Sequence, residues 1–237
     1  MELVSSDVVQ LEALPPGLRK LKIEGSDIPD YILALMLQNC TCLEELSLSK
    51  CSSLKSLPQG CLPATLKKLS IRSCPGLEFS TILLYTSLEM LSLVGSCHSL
   101  QSFPLGSFPK LNTVYIFYCQ DIDSFTASDQ TNQDLTSLKS MHIFRCPNLF
   151  SFPQGGLSAP NLTWLWFYEC NNLKSLPENM HSLLPSLEDS RQLSFETTDQ
   201  QAIEVKGPCL PGQIARILAL LAAVRYLSSH ALLIAPS

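Results

Sequence analysis

The sequence predicts an α/β solenoid in the form of a horseshoe, with a parallel β-sheet on its concave side and mostly irregular or 3-10 segments on its convex side. Leucine (44) and serine (31) make up 75 of 237 residues, the bias of a short unit used many times. One pattern recurs, most complete at Leu43, Leu46, Leu48, Cys51, Leu54, Leu57 and Pro58. Within each copy the apolar residues alternate with period two, as in a short strand with one face buried.

The unit occurs seven times, its first leucine at Leu18, Leu43, Leu66, Leu88, Leu111, Leu138 and Leu162. The intervals run from 22 to 27 with a mean of 24, inside the range of leucine-rich repeats, about 20 to 29. The strand comes first in each unit. Its successor must lie parallel, because about ten residues return the chain along the outside and a hairpin cannot do that. Those returns are short for a stable helix, and Pro58, Pro104, Pro153 and Pro177 fix extended bends in them. Between strand and return, the ninth position reads Ser26, Cys51, Cys74, Ser96 (or Cys97 after a one-residue insertion), Cys119, Cys146 and Cys170. Cysteine here is a small inward-facing group where the chain turns. Phe103, Phe125 and Phe152 occupy the slot of Leu57 and Leu176 and are expected to fill core.

The expected organisation is an N-terminal flank (1–17), seven repeats plus a partial eighth (18–189), and an atypical tail (190–237), helical at 213–234. An eighth unit would begin at Leu187, yet Ser190 stands where a leucine is expected. The apolar stretch 214–234 has membrane length, but Arg216, Arg225 and His230 interrupt it. A mid-span arginine costs about 2.5 to 3.5 kcal/mol, so spanning is not expected.

Charged residues are 16% of the chain and the net charge is −5, which disfavours unselective nucleic-acid binding. The first residues are neither basic nor apolar enough for a secretory signal, so the expected compartment is the cytoplasm or nucleus, with cysteines as thiols. Six cysteines placed one per repeat form a ladder rather than a convergent ligand set, and Cys40-x-Cys42 lacks a second pair. No cofactor or metal is expected. The chain has no GxxxxGK[ST], HExxH or GxSxG signature, and no nucleophile falls beside His142, so catalysis is not expected.

The third, fifth, seventh and eighth positions of each unit face the concave side. Units one to three present Lys20, Lys22, Glu24 and Gly25, then Glu45, Ser47, Ser49 and Lys50, then Lys68, Ser70, Arg72 and Ser73. Unit four presents Met90, Ser92, Val94 and Gly95. The chemistry then changes: Thr113, Tyr115, Phe117 and Tyr118, next Ser140, His142, Phe144 and Arg145, and last Trp164, Trp166, Tyr168 and Glu169. Both tryptophans thus join three of six tyrosines on neighbouring strands. Tyr115, His142 and Trp166 are expected side by side, with Phe117, Phe144 and Tyr168 next to them. Such a solvent-facing cluster marks a protein-binding surface, or else a face covered from within the chain.

The copies Leu54-Lys55-Ser56-Leu57-Pro58, Leu149-Phe150-Ser151-Phe152-Pro153 and Leu173-Lys174-Ser175-Leu176-Pro177 resemble those of plant intracellular nucleotide-binding leucine-rich-repeat disease resistance proteins. The stretch from Leu176 to Glu188 is similar to the coiled-coil type. The resemblance covers residues 14–189. It implies a sensor and autoinhibitory region in defence, with a pathogen effector, a guarded host protein or the receptor's nucleotide-binding domain as partner. The family's coiled-coil and nucleotide-binding domains have no counterpart here. A substrate adaptor of a ubiquitin ligase is the rival reading, although residues 1–17 are too few for a ligase-docking domain. A truncated receptor fragment without function of its own is another, and a secreted recognition protein glycosylated at Asn39 and Asn161 is a third.

Overall fold

A computed structural model describes residues 2–5, 14–25, 28–58, 62–79, 84–126, 135–152, 158–173 and 193–196. Its strands are β1 (Glu2–Ser5), β2 (Lys20–Glu24), β3 (Glu45–Ser49), β4 (Lys68–Arg72), β5 (Met90–Val94), β6 (Ser102–Pro104), β7 (Thr113–Phe117), β8 (Ser124–Thr126), β9 (Ser140–Phe144), β10 (Trp164–Tyr168) and β11 (Leu193–Glu196). Nine of them form one sheet in the order β1-β2-β3-β4-β5-β7-β9-β10-β11, every pair parallel. The solenoid expected from the repeats is the fold.

Register is set by the buried leucines. Leu21, Leu46, Leu69, Leu91, Val114, Met141 and Leu165 are one row, and Ile23, Leu48, Ile71, Leu93, Ile116, Ile143 and Phe167 the next. All are essentially buried, while their strand neighbours, the buried Ser49 excepted, are partly or fully exposed. A one-residue slip would turn both rows out into water, so pairing is strongly specified.

The sheet runs past the seven expected strands at both ends. Glu2–Ser5 pairs with β2 in register, within the N-terminal flank. At the other end Leu193 pairs with Leu165 and Phe195 with Phe167, so the eighth unit is counted from Ser190 and not from Leu187. The leucine signature is lost there while strand pairing continues. The apolar stretch 214–234 lies outside the described residues. Among those residues no helix is long and apolar enough to cross a membrane.

At the eighth position of every repeat the backbone turns left-handed: Gly25, Lys50, Ser73, Gly95, Tyr118, Arg145 and Glu169 have φ between 51° and 67°. The N–H there still continues the ladder, as Lys50 donates to Arg72 O and Arg145 to Tyr168 O, both at 2.8 Å. The bend swings the ninth side chain inward. Cys51, Cys74, Cys119, Cys146 and Cys170 are buried, each thiol directed at the carbonyl two residues earlier, from 3.4 to 3.6 Å. Unit four divides the role. Ser96 Oγ donates to Val94 O at 2.9 Å and accepts from Cys74 N–H at 3.1 Å. Cys97, the inserted residue, starts the closing turn to Leu100 and has its own positive φ of 61°. Burial pushes the Cys97 and Cys119 thiols well above their usual range.

Among the described residues most of the convex side is irregular, with one 3-10 turn at Leu105–Ser107. The exception is α1 (Asp30–Gln38) in the first repeat, where no proline interrupts the return and Leu33, Met36 and Leu37 recur on one face. Its first residue ties two repeats together: the Asp30 carboxylate accepts from Lys55 N–H (2.8 Å), Ser56 N–H (3.0 Å) and Ser56 Oγ (2.7 Å). Further along, the Ser-Phe segments pair as a small second ladder, β6 with β8, and Ser124 bridges on to Ser151. Phe103, Phe125 and Phe152 are core residues, in a buried aromatic row that also holds Phe79, Tyr85, Phe108 and Phe167.

Candidate recognition face

The parallel pairing places Tyr115 beside His142 and His142 beside Trp166, and likewise Phe117, Phe144 and Tyr168 in the adjacent row. All nine aromatic-patch positions expected from the sequence share this concave surface. Tyr115 and His142 stack at 4.8 Å and 23°, and Phe144 stacks on Tyr168 at 4.8 Å and 6°. The middle of the row departs from simple stacking. His142 meets Trp166 edge-on at 77° and lies nearly parallel to Trp164, at 25°. Phe117 and Tyr118 meet Phe144 edge-on, at 5.8 and 5.2 Å. Alternating stacked and edge contacts suit ring quadrupoles better than one continuous stack, so the rings hold each other in place.

Most of these rings are half-buried by one another, whereas Tyr118 (44%) and Trp164 (39%) stand open to solvent. The patch is therefore an ordered apolar platform with two projecting edges. One charged pair borders it. Arg145 lies over the rings of Phe144 (5.2 Å) and Tyr118 (5.6 Å). Its fork engages Glu169 through both Nε and Nη2, the latter at 3.3 Å from Oε1. Glu169, placed on the concave face by the unit-by-unit reading but not counted in the patch, is its charged border. The signal was present, since Arg145 and Glu169 hold the same position in adjacent repeats.

His142 is hydrogen-bonded through Nε2 to Ser140 Oγ at 2.6 Å. A hydroxyl therefore does lie beside His142, contrary to the expectation from the sequence, because residues two apart on β9 share one face. Burial pushes its imidazole below the usual histidine range. Among the described residues no group of three or more His, Cys, Asp or Glu side chains is arranged to hold a metal.

The other half of the face is polar. Glu45 is held between Lys20 and Lys68, both at 3.0 Å, and Glu24 between Lys22 (3.0 Å) and Lys50 (3.3 Å). The paired ammonium groups keep both carboxyls below their usual range.

Inward leucine rows, a left-handed eighth position and a buried ninth cysteine define a leucine-rich-repeat solenoid. No protein-family model matches the chain. It is similar to a candidate disease resistance protein of Arabidopsis thaliana, At3g14460, with 36% identity over 182 residues, covering 75% of this chain and 13% of that protein. It is also similar to the Arabidopsis disease resistance protein RPP4, 29% identical over 221 residues, 71% of this chain and 18% of that one. The chain thus spans less than a fifth of the length of these relatives. Among solved structures, the leucine-rich repeat domain of the type III effector XopL aligns with 90% of this chain and 77% of its own, at 23% identity and a TM-score of 0.47. The relatives support a leucine-rich-repeat region of the plant disease resistance kind.

Proposed function

We propose that this chain is the recognition part of a plant immune receptor, binding protein through the aromatic end of its concave sheet. The observation that carries the reading is the platform itself, three adjacent strands presenting ordered aromatics to solvent. Trp, Tyr and Arg are the side chains that most often anchor protein interfaces, and rings held in place lose little entropy on binding. The similarity to disease resistance proteins supports a role in defence. In that role the partner is a pathogen effector, a guarded host protein, or the receptor's own nucleotide-binding domain in its resting state, and the compartment is the cytoplasm or nucleus. The resemblance of the repeats favours a coiled-coil-type receptor. The chain works by binding and not by catalysis.

Trp164→Ala combined with Trp166→Ala tests the reading. Both side chains lie on the exposed face, so circular dichroism should be unchanged while a protein captured from plant extract by the native chain is lost. Unchanged capture by the variant would refute the platform as the binding surface.

A further inference from the structure

The aromatic platform occupies only one end of the concave sheet. Across β2, β3 and β4 the same face carries Lys20, Lys22, Lys50, Lys68 and Arg72 against Glu24 and Glu45, five cations to two carboxylates. The four lysine side chains remain between 42% and 66% exposed even while paired, so their charge is open to solvent. This positive strip stands on a chain whose formal charge is −5, so the remainder of the molecule is more acidic than the total indicates. Between strip and platform lies β5, whose concave residues Met90, Ser92 and Val94 are uncharged. The two chemistries are successive zones of one continuous sheet.

We infer that the concave face takes an extended polypeptide segment lying across the strands, acidic where it crosses β2–β4 and aromatic or aliphatic where it crosses β7–β10. The inference rests on the reading of the platform as a protein-binding surface and adds the chemistry of the partner. Seven strands about 4.8 Å apart span about 29 Å, which about nine residues of extended chain cover. The acidic end would be attracted early and set the direction of docking, since complementary charge acts mainly on encounter and register. The apolar end would supply most of the residence time through the platform.

A nucleic-acid strand suits this face less well. The ring faces of Tyr115, His142, Phe144 and Tyr168 are already turned on one another, whereas single-strand binders offer open faces for bases.

The test is selection of phage-displayed random dodecapeptides on the full chain, followed by affinity measurement with a synthetic copy of a selected peptide. Two double variants serve as comparisons: Trp164→Ala with Trp166→Ala, and Lys22→Ser with Arg72→Ser. The serines copy what the neighbouring strand already has, because Lys22 is in register with Ser47 and Arg72 with Ser49. Selected peptides should carry Asp and Glu at one end and aromatic or aliphatic residues at the other. The charge variant should bind the peptide about tenfold more weakly at low salt, a difference that about 0.5 M salt removes. Apolar peptides without acidic enrichment, bound equally by the charge variant, would overturn the inference and leave the platform standing. No enrichment over blank support would overturn both. Tighter binding of a fluorescent oligothymidylate than of any selected peptide would overturn the inference in favour of a nucleic-acid partner.

Discussion

One backbone angle at the eighth position of each repeat directs the ninth side chain inward, and it has a measurable energy. Only Gly25 and Gly95 adopt the left-handed conformation without a Cβ, and a Cβ built on either would meet nothing within 4 Å. The cost of Gly95→Ala is therefore purely conformational, about 1 to 2 kcal/mol, visible as a lower urea midpoint at unchanged slope. Lys50→Gly should raise the midpoint for the same reason, and a fall would sink the argument. A second residue-scale effect belongs to His142. Its folded-state pKa is depressed by burial, so the unfolded chain binds the proton more readily. The His142 contribution should be full above about pH 6.5, the unfolded value, and decline as pH falls below it, a decline that His142→Phe removes at pH values above the carboxylate range.

Each turn of the solenoid depends on a few groups that link it to the next. Ser96 is one such link, its hydroxyl bonding both Val94 O and Cys74 N–H in the interior. Ser96→Ala leaves the buried Cys74 N–H unpaired, while Val94 O keeps its bond from Ser73 N–H at 2.8 Å, and should cost about 1 to 3 kcal/mol, read as a loss of thermal midpoint. On the convex side Phe108 packs between Phe103, stacked at 5.5 Å, and Tyr85, stacked at 4.8 Å. Phe108→Ala should be costlier, about 3 to 5 kcal/mol, because these rings cannot collapse into the space. Asp30 acts between elements, joining α1 to the return of the second repeat. Partial burial opposes its charge, but the Lys55 and Ser56 hydrogen bonds outweigh that and hold the carboxyl below its usual range.

Over the whole molecule each repeat touches chiefly its neighbours, so stability is a chain of local terms coupled at interfaces. Both tryptophans lie in β10, and their fluorescence therefore reports the C-terminal end alone. A core truncation far away, Ile71→Ala in β4, should move the circular dichroism transition to lower urea more than the tryptophan transition. Coincident transitions in that variant would mean that the stack unfolds as one unit.

The short period-two segments determined the sheet from sequence alone, because a repeated inward leucine has one way to be buried, and seven strands with their concave residues follow from it. Aromatic identity at Tyr115, His142 and Trp166 was equally legible, since register in a solenoid is counted from the leucines. Tertiary structure alone decided how those rings meet, His142 lying along Trp164 and edge-on to Trp166, because ring orientation depends on three strands at once. It likewise decided the helix Asp30–Gln38 and the strand Leu193–Glu196. In the helix, packing on the first repeat overrides the short length of the return. In the strand, pairing with β10 persists where the leucine signature has faded, for backbone hydrogen bonds read no side chain.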